Sequence, residues 1–339
     1  MALVLSALLT PLVARLATKI GAVNEPRGEA KQIHRRPMPQ LGGLAIFLAI
    51  ATVLFFTLSK DSVLVSGLVG SKQYLGFMLG GLVLMVGGIL DDKFNLPPKA
   101  TIIFPLAAAL IAVFFQIGVS KISNPFGVSP VELPDALRQI LTVVWLMVMM
   151  YTTKFLDGLD GLATGVSAIG AAMMMGLALT VQYFQPDAAV FASICLGALL
   201  GFLFWNFNPA RIFLGEGGST FVGFTIGTLS VIGGAKVGTA LLVLSIPLLD
   251  VIWVVLRRVF VEHHSPTKGD RKHLHHRLLD LGLSQRQVVL VYYALAGSVG
   301  VTTLFLQSRA KVALFALLVL LMIATAVLLV LTERKRRRL

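Results

Sequence analysis

The strongest constraint on this chain is how often it presents a run of hydrocarbon long enough to cross a bilayer. A hydrocarbon core about 30 Å thick calls for roughly 20 mostly apolar residues per helix. The sequence offers eleven such windows: 2–20, 41–59, 75–90, 100–118, 139–156, 162–183, 188–206, 218–233, 237–256, 287–306 and 312–331. With 56% hydrophobic residues in 339, the chain lies far from the balance of a soluble domain. The expected fold is all-α: a polytopic membrane protein of about 11 transmembrane helices, forming one integral membrane domain over 1–339. In the first window Arg15 and Lys19 follow the apolar run instead of preceding it, so it reads as a helix and not as a signal peptide. The single cysteine, Cys195, lies inside a window, which argues against a disulfide framework or a cysteine metal site. Small-residue runs such as GLVLMVGG read as helix-packing surfaces.

Eleven spans put the termini on opposite sides, and the C-terminal ERKRRRL marks the cytoplasm under the positive-inside rule. The N-terminus is then outside. The same arrangement puts all six histidines and most acids inside, leaving Asp61, Glu132, Asp135 and Asp187 outside. Any chemistry is thus expected to face the cytoplasm, on loops near 21–40, 91–99, 154–161, 207–219 and 257–286. The net charge of +13 fits anchoring to anionic lipid at the tail. In the inner loops bases alternate with carboxylates and histidines, and no nucleic-acid partner is expected.

Four inner clusters carry candidate chemistry. GGILDDKFNLPPK places Asp91 and Asp92 side by side at a helix C-terminus, where the dipole disfavours both. A cation must offset them, either Lys93 or a divalent metal, or one of them acts as a general base. KFLDGLDGL brings Lys154, Asp157 and Asp160 together with Gly158 and Gly161; if the stretch is helical, Lys154, Asp157 and Gly161 share a face. NFNPARIFLGEGGST surrounds Glu216 with Gly215, Gly217 and Gly218, followed by Ser219 and Thr220. Such a turn opening a helix can cradle phosphate oxygens, although it lacks the lysine of a Walker loop. The longest inner loop carries His273, His275, His276 and Arg277 on a short helix capped by Asp270 and ended by Gly282, with His273 and His276 on one face. Ser284 and Gln287 then form a capping box. The surrounding bases favour an anion-binding surface there over a zinc site. In SIPLLD, Pro247 is expected to kink the ninth span near Asp250.

Together the clusters suit a reaction between anionic substrates, one of them a lipid phosphate, with a divalent cation screening the charge. Here the chain resembles the polyprenyl-phosphate N-acetylhexosamine-1-phosphate transferases, the superfamily that includes phospho-MurNAc-pentapeptide translocase. The resemblance rests on HRRPMPQLGG at 34–43, LDDKFNL, DGLDGLATG, NPARIFLGEGGS and KGDRKHLHHRLL, in the family order, and covers about 34–279. It implies transfer of a sugar-1-phosphate, most consistently GlcNAc-1-phosphate, from a UDP-N-acetylhexosamine to undecaprenyl phosphate. UMP is released, Mg2+ is required with Mn2+ as a substitute, and the setting is a bacterial cytoplasmic membrane with a homodimer as the suggested assembly. Position by position, it implies catalytic roles for Asp91, Asp92, Asp157 and Asp160, with metal binding at Glu216, Asp91 and Asp92. Substrate contacts are expected from Lys154, Gly217, Gly218, Ser219, His273, His275, His276, Arg277 and Lys99. The His-x-His-His order is that of the GlcNAc-1-phosphate branch. Two places differ from the family pattern: Lys154 and Tyr151 stand where most members have Asn, and Glu216 stands for the usual magnesium-binding aspartate.

Three other classes make different demands. A secondary transporter would hold its acids near the bilayer midplane, whereas here Asp250 is the main acid at depth. A CDP-alcohol phosphatidyltransferase would continue DGLDG with a G-x-x-x-D-x-x-x-D that is missing. An inactive scaffold would be marked by the changes at 154 and 216.

Overall fold

A computed structural model describes residues 1–26, 36–59, 63–119, 133–181, 183–232, 236–258 and 273–336. Most of them are helical: α1 (Ala2–Ile20), α2 (Gly42–Leu58), α3 (Ser71–Phe94), α4 (Pro98–Thr101), α5 (Ile103–Phe114), α6 (Asp135–Leu156), α7 (Leu162–Leu179), α8 (Pro186–Asn206), α9 (Gly215–Val231), α10 (Val237–Val243), α11 (Ser245–Arg257), α12 (Leu274–Asp280), α13 (Gln285–Phe305) and α14 (Ser308–Arg336). Two short strands, β1 (Val23–Asn24) and β2 (Met38–Pro39), pair antiparallel, with Val23 opposite Pro39.

Among the described residues seven helices are long and apolar enough to cross a membrane: α1, α3, α6, α7, α8, α13 and the Ser308–Thr325 part of α14. The α10–α11 pair, bent by 72°, makes an eighth if it is one span. The windows at 41–59 and 100–118 correspond to the shorter apolar helices Gly42–Leu58 and Pro98–Phe114, and the one at 218–233 to the 17-residue α9. The expected kink at Pro247 lies earlier, at Leu244 between α10 and α11. Pro247 falls in the first turn of α11, where its missing N–H leaves no helical bond unmade. The capping box of Ser284 and Gln287 starts α13 as expected, with Ser284 Oγ accepting from Gln287 N–H.

The molecule is built around α9. Every residue of α9 except Glu216 is buried, and the helix packs against α2, α3, α6 and α7. A ring cluster surrounds its middle: Phe47 meets Phe221 edge-on at 5.4 Å, and Phe77 stacks on Phe224 at 5.6 Å. Lipid supplies no hydrophobic drive between helices, so stability there comes from close packing, which small residues permit. A Cβ on Gly43 would lie 2.0 Å from Gly218 Cα, and one on Gly88 would lie 2.2 Å from Gly217 Cα. Accordingly α2 and α3 both cross α9 at its first turn. The backbone leading into α2 fixes the same turn: Gly42 and Gly43 N–H donate to the carbonyls of Phe213 and Leu214, both at 2.9 Å, and Phe213 N–H donates to Pro39 O.

Candidate active site

The C-terminal ends of α3 and α6 meet the start of α9. The two acids at the end of α3 sit at the negative end of a helix dipole and find their partners elsewhere. Asp91 Oδ1 accepts the Leu96 N–H at 2.8 Å. Asp92 Oδ1 accepts the Glu216 N–H at 3.1 Å, a donor left over at the positive end of α9. Gly215 makes this approach possible: its φ is +77°, and a Cβ there would stand 2.4 Å from Asp92 Oδ2. That second oxygen is buried and has no hydrogen-bond partner among the described residues. Lys93 is not the pair's counter-ion; its ammonium lies 5.2 Å from the centre of the Phe94 ring.

Lys154, in the last turn of α6, supplies the positive charge. Its Nζ is 2.6 Å from Glu216 Oε2 and 5.9 Å from the centre of the Tyr151 ring. Asp91, Lys154 and Glu216 line one groove whose other walls include Leu84, Gly88 and Phe104.

The helical register expected for KFLDGLDGL does not hold. α6 ends at Leu156 and Asp157 is its C-cap, so Lys154, Asp157 and Gly161 do not share a helix face. Burial, reinforced by the charges of Glu216, Asp92 and Asp160, raises the Asp157 carboxyl to about 8. Asp160 is held in backbone architecture: its Oδ2 accepts from Asn208 Nδ2 at 2.9 Å and from Ala210 N–H at 3.0 Å. Asn208 Nδ2 also donates to Gln285 Oε1, and Arg286 Nε donates to Asn208 O. One bracket thereby ties the α6–α7 loop, the α8–α9 loop and α13 together. Tyr293 Oη adds a bond to Gly161 O at 2.6 Å.

The histidines adjoin this loop. His273 is the N-cap of α12 and not part of its face; its Nδ1 lies 2.9 Å from Asp250 Oδ2, while Asp250 Oδ1 accepts the Leu274 N–H. Phe155, His273 and His275 stack in series at 6.0 and 5.7 Å, and His276 lies 4.3 Å from His275. His275 rests on Gly158, where a Cβ would be 2.5 Å from its Nε2. Burial, with His276 and His273 adding to it, lowers the His275 pKa well below the ordinary imidazole value, so the ring is neutral.

Other expected site residues are placed differently. Gly217 and Gly218 form the helix crossings with α3 and α2. Ser219 is buried; its Oγ donates to Glu216 O, and its carbonyl accepts from Thr153 Oγ1 at 2.8 Å. Lys99 is exposed on α4, and Arg277 is partly exposed on α12. His34, Arg35, His263, His264, Lys268, Asp270, Arg271 and Lys272 lie outside the described residues. Asn208 and Tyr293 were not legible as site residues: their partners are 48 and 132 positions away, and no local spacing signals such bonds.

A closed metal cage is not present: among the described residues no three His, Cys, Asp or Glu side chains converge to hold an ion. Magnesium does not need one, since it commonly takes one or two carboxylates and completes its shell with water and substrate phosphate. The unpartnered Asp92 Oδ2 beside Glu216 fits that requirement.

A family model described as glycosyl transferase family 4 matches residues 74–234. A probable undecaprenyl-phosphate N-acetylglucosaminyl 1-phosphate transferase of Bacillus subtilis is 34% identical over 310 residues, covering 89% of this chain and 82% of the relative. The decaprenyl-phosphate N-acetylglucosaminephosphotransferase of Mycobacterium tuberculosis is 34% identical over 313 residues, 85% of this chain and 76% of its own. An undecaprenyl-phosphate alpha-N-acetylglucosaminyl 1-phosphate transferase of Thermotoga maritima is 28% identical over 274 residues, 80% and 78% of the two chains.

Proposed function

Because the chain belongs to glycosyl transferase family 4, we propose that it transfers GlcNAc-1-phosphate from UDP-GlcNAc to undecaprenyl phosphate and releases UMP. The observation that carries this reading is the groove in which Asp91, Lys154 and Glu216 share walls with Leu84 and Phe104. Phosphate-handling groups and an apolar wall are what a lipid phosphate requires at once.

In the reaction an oxygen of the lipid phosphate attacks the β-phosphorus of the donor. The new P–O bond forms as the bond to the α-phosphate oxygen breaks, and the electron pair leaves with UMP. A phosphate dianion needs little help from a base at neutral pH, so orientation contributes most. Asp91, with one oxygen engaged by Leu96 N–H, takes the proton when the lipid arrives as a monoanion. Lys154 draws the donor diphosphate into the groove. Asp160 and Tyr293 act through the backbone by holding the loop that carries Asp157. His275, neutral and seated on Gly158, offers the donor a polar ring without adding charge. Asp92 and Glu216, with Asp91 adjacent, would hold Mg2+ or Mn2+, which when bound screens the diphosphate and stabilises the charge that develops on UMP.

The wider setting follows from the same reading: eleven crossings, N-terminus outside, C-terminus and active site at the cytoplasmic face of a bacterial inner membrane. A single membrane domain, assembled as a homodimer, would make the first lipid-linked intermediate of a cell-envelope glycan. The test is UMP release by the purified protein with undecaprenyl phosphate, Mg2+ and UDP-GlcNAc. Lipid-dependent UMP is expected. Its absence with UDP-GlcNAc, UDP-GalNAc and UDP-MurNAc-pentapeptide alike would overturn the reading.

A further inference from the structure

Glu216 is the one residue of α9 that is not buried, and in the structure its carboxylate is already taken by Lys154, at 2.6 Å. Around them stand Asp91, Asp92 and Asp157, close enough for their charges to interact with Glu216. One ammonium thus stands among several acidic side chains, and the substrates bring phosphates that compete for it. Lys154 therefore has two competing destinations. Its side chain is a flexible stem with a compact charge at its end, and both it and Glu216 line the same groove. The ammonium can move from carboxylate to a phosphate in that groove with no helix displaced.

We propose that Lys154 is an exchangeable counter-ion that gates Glu216: it neutralises the carboxylate while the groove is empty and releases it when a nucleoside diphosphate enters. Released, Glu216 joins the unpartnered Asp92 Oδ2 as a cation ligand. Cation and donor then strengthen each other's binding by the same factor, as linkage requires, and the divalent ion is held weakly in the resting protein. This rests on the family reading above and assigns to Lys154 a positioning role beyond simple contact with the donor.

Mn2+ binding, read by the electron paramagnetic resonance signal of the free ion, tests the idea on purified full-length protein without lipid, so no turnover occurs. Without nucleotide, Lys154→Gln is expected to bind Mn2+ about tenfold more tightly than wild type, within the usual range of coupling between sites. Lys154→Arg keeps the charge and should bind Mn2+ as wild type does. Glu216→Gln should weaken Mn2+ binding and abolish the gain when combined with Lys154→Gln. Saturating UDP-GlcNAc should tighten Mn2+ binding by a larger factor in wild type than in Lys154→Gln, where only the donor's own phosphate oxygens add to the ion's shell. Equal nucleotide-free affinities in wild type and Lys154→Gln, with both proteins folded by thermal melt, would overturn the proposal. Because that comparison needs neither turnover nor donor, its failure is distinguishable from a failure to release UMP.

Discussion

Single residues at the site differ in the work they do. Asp157 and Asp160, three apart in one motif, are the clearest case. With its carboxyl raised to about 8 against about 3.9 in the unfolded chain, Asp157 binds its proton more tightly when folded. Stability of the metal-free protein must then fall as pH rises from about 4 to about 8 and level off above. Asp157→Asn is expected to melt higher than wild type at pH 8, with the gap closing toward pH 4, in thermal scans with chelator present. Asp160→Ala should go the other way: it removes an acceptor from Asn208 and Ala210, costing about 1–3 kcal/mol and lowering turnover, with metal affinity unchanged. The acids and histidines that the fold gathers were readable as clusters wherever they form a local string, as in LDDKF, DGLDG and HLHH. Their roles were not, because a carboxylate's role depends on what folds against it. The two places where the chain departs from the pattern it resembles, Lys154 and Glu216, are far apart in sequence and touch in space; only the fold reveals their ion pair.

At the scale of elements, the apolar windows located the helices well because hydropathy is a sum over many residues and survives local irregularity. Breaks were harder. Pro247 is the residue whose chemistry suggests a kink, yet the 72° bend lies at Leu244, a residue with no helix-breaking chemistry of its own, between two helices that share α14 but otherwise pack on α7, α9 and α13 in one case and α6 in the other. Glycines divide in the same manner. The run GEGGS looked like a phosphate cradle, and much of it is a packing surface. Gly43→Ala, which places a methyl 2.0 Å from Gly218 Cα, is expected to force α2 from α9 and collapse the yield of detergent-extracted monodisperse protein. Gly297→Ala, with nothing within 4 Å of its added carbon, should leave yield and melting temperature unchanged.

For the whole molecule, sidedness is the property to test first. Cys195 is buried, so an introduced surface cysteine will be the reactive one. Asp135→Cys, at the exposed start of α6, should react with a membrane-impermeant maleimide in intact cells, and Asp280→Cys, exposed at the end of α12, only after permeabilisation; the reverse pattern would invert the topology. The proposed orientation rests on charge bias alone, since positive-inside placement depends on loops and not on packing. How the spans pack was not readable, because lipid-facing and protein-facing surfaces are equally apolar in such a chain. The position of α9 has a last consequence for how this protein ages. A helix whose every residue but one is inside cannot loosen at its tip while its neighbours stay in place. Loss of catalysis on heating should therefore coincide with the calorimetric transition, with no earlier, reversible step in which the enzyme is intact and silent.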